Sequence, residues 1–420
     1  VLRRELRMME GAELSNSKLE RSKIRLQRLP FVEEVSIDKA PVAGTDDMVD
    51  INININERLS GSFNIGAGYS QQQGFVFNLG LQMENVLGTG KKLGINFSND
   101  DANKVYSVSF SNPYYTVDGV SRSLSFTYRK RDAEQQDINN FLENTFGATI
   151  SYGIPLSEYN RIRLGFGLER TEILSGISSN TSAEVRDFLN KYGDGPVDAD
   201  GNQTQASFDA LTLIASYSHD TRNRTVFANQ GSQHVVSLDM TAPHSELEYY
   251  KLSYRAKVYF NMTSDLTLML RSDLGYGDGY NDTDSLPLYS RYYAGGLRTV
   301  RGFENNSLGP RDKESNDPRG GDIRTVAGAE LIFPVPFIEK PPSSIRFSAF
   351  YDIGNVFLQD QGNSDPDEQG FNADELRSSI GVSFVWLAPI GPLQFSWSRP
   401  IETKDIDETE SFQFSIGSFF

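Results

Sequence analysis

The sequence predicts an all-β transmembrane barrel of about sixteen antiparallel strands behind a small N-terminal α+β domain. Three observations lead there. From residue 59 onward nearly every segment alternates apolar and polar residues with period two, as strands with two different faces do. The second face carries Arg161, Arg163, Glu169, Lys251, Arg255, Lys257, Arg271 and Asp273, too many charges for a dry interior but suited to a watery lumen. The connections alternate, with tight turns at Leu87 to Gly90, Pro155 to Asn160, Met262 to Asp265 and Pro389 to Pro392. Between these lie polar stretches near 171–207, 277–325 and 355–377, too long for a compact soluble domain.

Composition narrows the class further. Of 420 residues 38% are hydrophobic, and no run approaches the roughly 20 apolar residues of a membrane-spanning helix. Phe and Tyr number 27 and 19 against 2 Trp, with 36 Gly, which fits short strands and aromatic girdles. The absence of cysteine excludes disulfides and thiolate metal sites. A formal charge of -16 argues against nucleic acid, whose phosphates demand a basic face. Acidic residues such as Asp405, Asp407, Glu408 and Glu410 read as solvated loop surface. Val1 runs directly into Arg3-Arg4-Glu5-Leu6-Arg7 with no visible signal peptide, so an excised fragment is expected.

Residues 1–58 have their own texture. Val1 to Met9 reads as a helix, and Ser15 or Ser17 can cap a second one ending near Leu29-Pro30, with Leu19, Ile24, Leu26 and Leu29 as its apolar stripe. Strands are expected at Phe31 to Ile37 and over the strict alternation Val49 to Ile55. The barrel, 59–420, opens with Phe63 to Tyr69 and Phe75 to Met83. It continues at Leu93 to Phe97, Tyr106 to Phe110, Leu124 to Tyr128, Phe146 to Tyr152 and Ile162 to Leu168. Nine further segments follow, at Leu211 to Tyr217, Val235 to Met240, Tyr250 to Phe260, Leu266 to Leu274, Val326 to Phe333, Ile345 to Phe350, Ser378 to Trp386, Leu393 to Trp397 and Phe412 to Phe420.

Two places stand out for function. Val300-Arg301-Gly302-Phe303 is an apolar and cationic tetrapeptide inside a long polar loop, which is expected to fold back and dock its arginine within the barrel. There a guanidinium removed from bulk water needs a carboxylate partner. The other is the seam, because a barrel must close its first strand on its last or leave hydrogen-bonding edges unmet in lipid. The first strand carries Phe63, Gly66 and Gly68, and the last Phe414, Gly417 and Phe420. Glycine weakens a strand or marks a bend, so a short or kinked pairing is expected.

Several stretches carry a family likeness: Arg7-Met8-Met9-Glu10-Gly11, Asn112 to Ser121, Tyr293 to Gly296, Val300 to Phe303 and Phe350 to Gly354. Over almost its whole length the sequence resembles the assembly-factor branch of the Omp85 superfamily, central subunits of the bacterial machinery that assembles outer-membrane β-barrels. The resemblance implies that 1–58 is most of the last periplasmic POTRA domain, normally βααββ, lacking its first strand. It implies that Arg301 meets Glu330 and Asp352, either as a structural clamp or as a conformational latch. The seam is then a lateral gate, and Glu10 a contact for an accessory lipoprotein. The partners implied are accessory outer-membrane lipoproteins, unfolded barrel clients, periplasmic chaperones, and the bilayer with its lipopolysaccharide, without a cofactor or metal. The implied location is the outer membrane with the N-terminal domain in the periplasm; the alternative within the superfamily is a polypeptide secretion transporter. The aromatic end at Phe420 also fits the signal by which such a chain is itself assembled.

An enzyme is not expected. Adjacent strand residues such as His219 and Asp220 point to opposite faces and cannot form a dyad, while His234 and His244 lack ligand partners in sequence. No G-x-S-x-G elbow or phosphate-binding glycine loop is present.

Overall fold

The computed structural model describes residues 2–27, 29, 31–45, 47–57, 61–71, 73–136, 138, 141–175, 182–198, 200–225, 227–263, 265–312, 315–333, 344–359, 370–388 and 391–417. The N-terminal unit contains a 3-10 turn at Leu2–Glu5, helix α1 (Asn16–Gln27), and the antiparallel pair β1 (Val32–Pro41) and β2 (Val49–Glu57). The helix expected over Val1 to Met9 is therefore only a turn. So short a segment does not sustain a helix alone, and Arg3 and Arg7 would repel at the i,i+4 spacing. Helix α1 begins after Ser15, whose hydroxyl accepts from the Lys18 N–H at 3.5 Å. Its packed row is Leu19, Ser22 and Leu26, while Ile24, expected on the stripe, is 47% exposed. Ser22 fits that row because its hydroxyl donates to the Lys18 carbonyl and accepts from the Arg7 N–H. Leu26 packs with Phe31, Val32 and Val35 in a small core.

All sixteen expected barrel strands are present, and most run longer than their alternating segments. They are β3 (Gly61–Ser70), β4 (Gly74–Met83), β5 (Lys92–Asn99), β6 (Asn103–Asn112), β7 (Ser121–Asp132), β8 (Phe141–Pro155), β9 (Asn160–Ser175) and β10 (Gln205–Asp220). There follow β11 (Gly231–Thr241), β12 (Tyr249–Asn261), β13 (Thr267–Gly279), β14 (Ile323–Phe333), β15 (Ile345–Phe357), β16 (Arg377–Ala388), β17 (Gly391–Glu402) and β18 (Phe412–Ile416). Each pairs antiparallel with its sequence neighbours, and β18 closes on β3. The period-two code is inverted relative to a soluble sheet. Phe63, Phe77, Phe126, Phe166, Leu211 and Trp397 lie exposed on the outer wall, as they must if their solvent is hydrocarbon.

Odd-numbered strands run away from the N-terminal unit, so the long connections after β9, β13 and β15 share the far rim. One of them holds helix α2 (Ala183–Tyr192), within the polar stretch 171–207 where no helix is expected from the sequence. Ser182 caps it by accepting from the Val185 N–H at 3.4 Å. Its buried Val185 and Leu189 join Phe141, Ile173, Phe208, Leu247 and Leu288 in an apolar core. Helix, strand extensions and the β13–β14 connection thus pack as one cap over the lumen.

Candidate functional site

The β13–β14 connection turns back into the barrel and buries its tip, with Val300 and Phe303 0% and Arg301 4% exposed. Register explains the receiving surface. Glu330 pairs with Phe350 and Gly328 with Asp352 across β14 and β15, and cross-strand partners share a face. The Arg301 guanidinium clamps Asp352 with two bonds, Nε to Oδ2 at 2.6 Å and Nη2 to Oδ1 at 3.0 Å. Its Nη1 reaches Glu330 Oε2 at 3.1 Å, and its Cζ lies 3.4 Å from the Phe350 ring centroid. Burial disfavours this cation, but Asp352 and Glu330 outweigh it and raise the pKa above the usual arginine value.

Asp352 holds a second cation, Arg271 from β13, whose Nη2 lies 2.8 Å from Oδ1. Arg271 also donates to the Arg298 carbonyl at 2.8 Å and to that of Thr299. The sequence marked Arg271 as lumenal but not as part of this cluster. Gly328 makes the cluster possible, since a Cβ there would sit 2.6 Å from Asp352 Oδ1 and 2.8 Å from Arg271 Nε. Gly302 adopts φ +92, and a Cβ on it would approach Ser398 and Ser379 at 3.2 to 3.4 Å. The small side chains of β16 and β17 leave the loop backbone room to lie against the wall.

The tip is also tied to the last strand. Gln413 of β18, 2% exposed, accepts from the Gly302 N–H at 3.2 Å and donates to the Phe303 carbonyl at 2.8 Å. Backbone bonds join Glu410 to Gly302 at 2.9 Å and Glu304 to Glu408 at 2.9 Å. Gln413 was missed in sequence because a polar residue at an alternating position reads simply as lumenal. The acidic stretch before it is only partly the solvated surface expected: Asp405 and Glu408 are exposed, whereas Asp407 and Glu410 are partly covered. Asp407, its side chain 2% exposed, pairs with Arg377 at 2.8 Å, and Glu408 with Arg311 at 3.1 Å.

At the seam, among the described residues, the backbone ladder between β18 and β3 has only the pairs Ser415–Ser70 and Ile416–Tyr69. Phe414 stacks on Tyr69 at 5.7 Å and lies beside Phe395 at 6.4 Å. Below that, the last strand bends at Gly417, φ +73. A Cβ on Gly68 would sit 2.4 Å from the Ile416 carbonyl oxygen, and one on Gly391 would sit 3.0 Å from the Gly417 Cα. The bend therefore needs glycine at Gly68 of β3, at Gly391 of β17 and at Gly417 just past β18. Phe63 is 64% exposed and, like Gly66, lies on β3 away from the two paired positions. Phe420 lies outside the described residues.

Elsewhere Glu10 is exposed and paired with Arg3. His219 binds Asn160 at 2.7 Å, whereas Asp220 binds Arg222 and Gln233, so the two neighbours serve different partners. On the far rim Glu184 of α2 takes Arg291 at 2.7 Å and Arg319 at 2.8 Å. Burial raises the Glu184 pKa, but the two arginines overcome that and hold it at about 2. Asp322 lies 3.9 Å from Arg291, and burial pushes its carboxyl up to about 6.

A closed barrel, apolar outside, charged within and stoppered by its own inward loop, belongs to the transmembrane class. The chain is a member of the Omp85 superfamily: the model described as Omp85 superfamily domain matches residues 85–420. A second, described as surface antigen variable number repeat, the POTRA model, matches residues 1–58. The outer membrane protein assembly factor BamA of Neisseria meningitidis serogroup B is 33% identical over 100% of this chain and 54% of its own length. That of Nitratidesulfovibrio vulgaris is 26% identical over 100% of this chain and 49% of its own. The chain thus spans about half the length of the curated relatives it matches. The crystal structure of BamA from Haemophilus ducreyi lacking its first three POTRA domains superposes with a TM-score of 0.87 at 30% identity, covering 99% of this chain and 81% of that one. CdiB from Acinetobacter baumannii matches with a TM-score of 0.57 at 14% identity over 98% of this chain and 70% of its own, a likeness of fold alone.

Proposed function

We propose that this protein folds and inserts β-barrel proteins into the bacterial outer membrane, parting between β3 and β18 to receive them. The observation that carries the reading is the two-residue pairing at a glycine-bent seam. In hydrocarbon each unmet backbone group costs several kcal/mol, so an edge so lightly paired favours adding another strand. An incoming client strand supplies the missing bonds by β-augmentation, which fits both affinity and sequence tolerance. Local thinning of the bilayer beside the short seam lowers the barrier to insertion. No nucleotide, metal or catalytic side chain is required, because client folding supplies the free energy.

The tip at Arg301 acts as the latch. Its anchor on Asp352 and Glu330 is fixed, while Gln413 couples it to the mobile edge. Residues 1–58 form the POTRA domain, hand over to the barrel near residue 59 and stand in the periplasm, where chaperones deliver clients. Glu10 contacts an accessory lipoprotein, and Glu10→Lys should weaken co-purification of that subunit; unchanged recovery would remove the assignment. Lipopolysaccharide and phospholipid surround the outer wall.

Depletion in cells tests the function as a whole. Unrelated outer-membrane barrels should disappear together, whereas loss of a single exported polypeptide with barrels intact would favour the secretion transporter.

A further inference from the structure

The protein carries a net charge of -16, yet its lumen is locally cationic. Two cavities of about 500 and about 350 Å³ open beneath the cap, and both are lined by Arg255 and Arg298, so they form one tract. Among the described residues of the two linings, seven Lys and Arg side chains face two carboxylates, Asp239 and Asp273. Three of the cations are already neutralised: Arg271 by Asp352, Arg291 by Glu184, and Arg324 by Asp273. Lys251 is turned aside to the Ser290 carbonyl and the Tyr292 ring. Arg255, Lys257 and Arg298 remain, exposed to lumenal water, and among the described residues none has a carboxylate within 4.0 Å.

Their arrangement is a line rather than a clamp. Arg255 and Lys257 alternate on β12 and so stand about 6.8 Å apart along the strand, with Lys251 two further lumenal positions away. A compact phosphate calls for donors converging on one point. An extended peptide with acidic side chains at alternate positions has the same repeat as the strand itself. We propose that this tract binds acidic, extended polypeptide, namely the surface loop of a client barrel on its way through the lumen. The inference rests on the proposed assembly function. This chain, itself a barrel, shows the complementary charge, since residues 360–375 of its long β15–β16 connection hold six carboxylates and no Lys or Arg. A cationic groove with low-dielectric walls concentrates such a segment and speeds its entry.

The test measures binding of a fluorescein-labelled ten-residue oligoglutamate to the purified full-length protein in zwitterionic detergent at low ionic strength, with oligoglutamine as control. Oligoglutamate should bind, and oligoglutamine should not. The combined Arg255→Gln, Lys257→Gln and Arg298→Gln variant should lose at least about tenfold in affinity, about 1.4 kcal/mol. Swapping each cation for the other type, Arg255→Lys, Lys257→Arg and Arg298→Lys, should restore binding and guards against loss through misfolding. Undiminished binding to the glutamine variant, absence of oligoglutamate binding, or equal competition by inorganic phosphate would each overturn the tract. Client insertion into vesicles is scored in parallel. Insertion without oligoglutamate binding removes the tract alone, whereas no insertion by the wild-type complex removes the assembly reading beneath it.

Discussion

The Arg301 guanidinium donates three bonds to two carboxylates, so truncating it leaves Glu330 and Asp352 as buried or half-buried charges short of a partner. Arg301→Ala should therefore cost the barrel about 3–5 kcal/mol in urea unfolding; a loss below about 1 kcal/mol would place the clamp among weak exposed pairs. Lysine keeps the charge but not the two-pronged geometry, so Arg301→Lys separates roles: near-normal stability with lost client assembly identifies a latch, and loss of neither removes that role. Gly328→Ala should break the Arg271–Asp352 pair by intrusion, destabilising by about 1–3 kcal/mol. On the cap, Glu184 falls from 4.5 unfolded to about 2 folded. Its contribution, on the order of 3 kcal/mol, is full above 4.5 and lost as pH drops towards 2. Asp322 has the opposite sign, about 6 folded against 3.8, so its burial costs most above 6 and is relieved on acidification below it. Hydrogen-exchange protection of the Val185 to Leu189 amides, corrected for intrinsic rates, should rise slightly from pH 6 to 4.5 and then fall; monotonic protection would contradict the assignment.

Among the elements, the strands were legible because a lipid-facing residue and a lumenal residue must alternate whatever the loops do. Helix α2 was not, since a four-residue apolar pattern, Val185, Phe188, Leu189 and Tyr192, is brief beside the polar stretch around it. Its signal was present in the Ser182 cap. The seam glycines were visible, but their reason was not. Whether Gly68 merely loosens a strand or admits the Ile416 carbonyl depends on the path of β18, which only the register defines. Gly68→Val should displace β18, because its Cβ would lie 2.4 Å from that oxygen. The displacement would be read as a lower yield of disulfide between cysteines placed at 70 and 415; an unchanged yield would show that β18 does not depend on that approach.

For the whole molecule, the central feature is an inside-out barrel with its polar load directed inward. Phe166→Arg on the outer wall should destabilise insertion by about 2–4 kcal/mol if it lies near the bilayer midplane; a neutral result would mean that face does not meet lipid. Charge on alternate strand positions announced the lumen in the sequence. It did not announce the cap or the Gln413 link, both of which join segments far apart in the chain. That link joins the loop tip to β18 through two hydrogen bonds of Gln413, while Asp352 and Glu330 hold it to β14 and β15. The most direct test uses the absence of cysteine from these 420 residues. With Ser70→Cys and Ser415→Cys, which face one another across the seam, oxidation locks the barrel's first strand to its last in the otherwise intact complex. Client assembly should stop when the lock closes and return on reduction, whereas normal assembly with the seam held shut would contradict lateral opening.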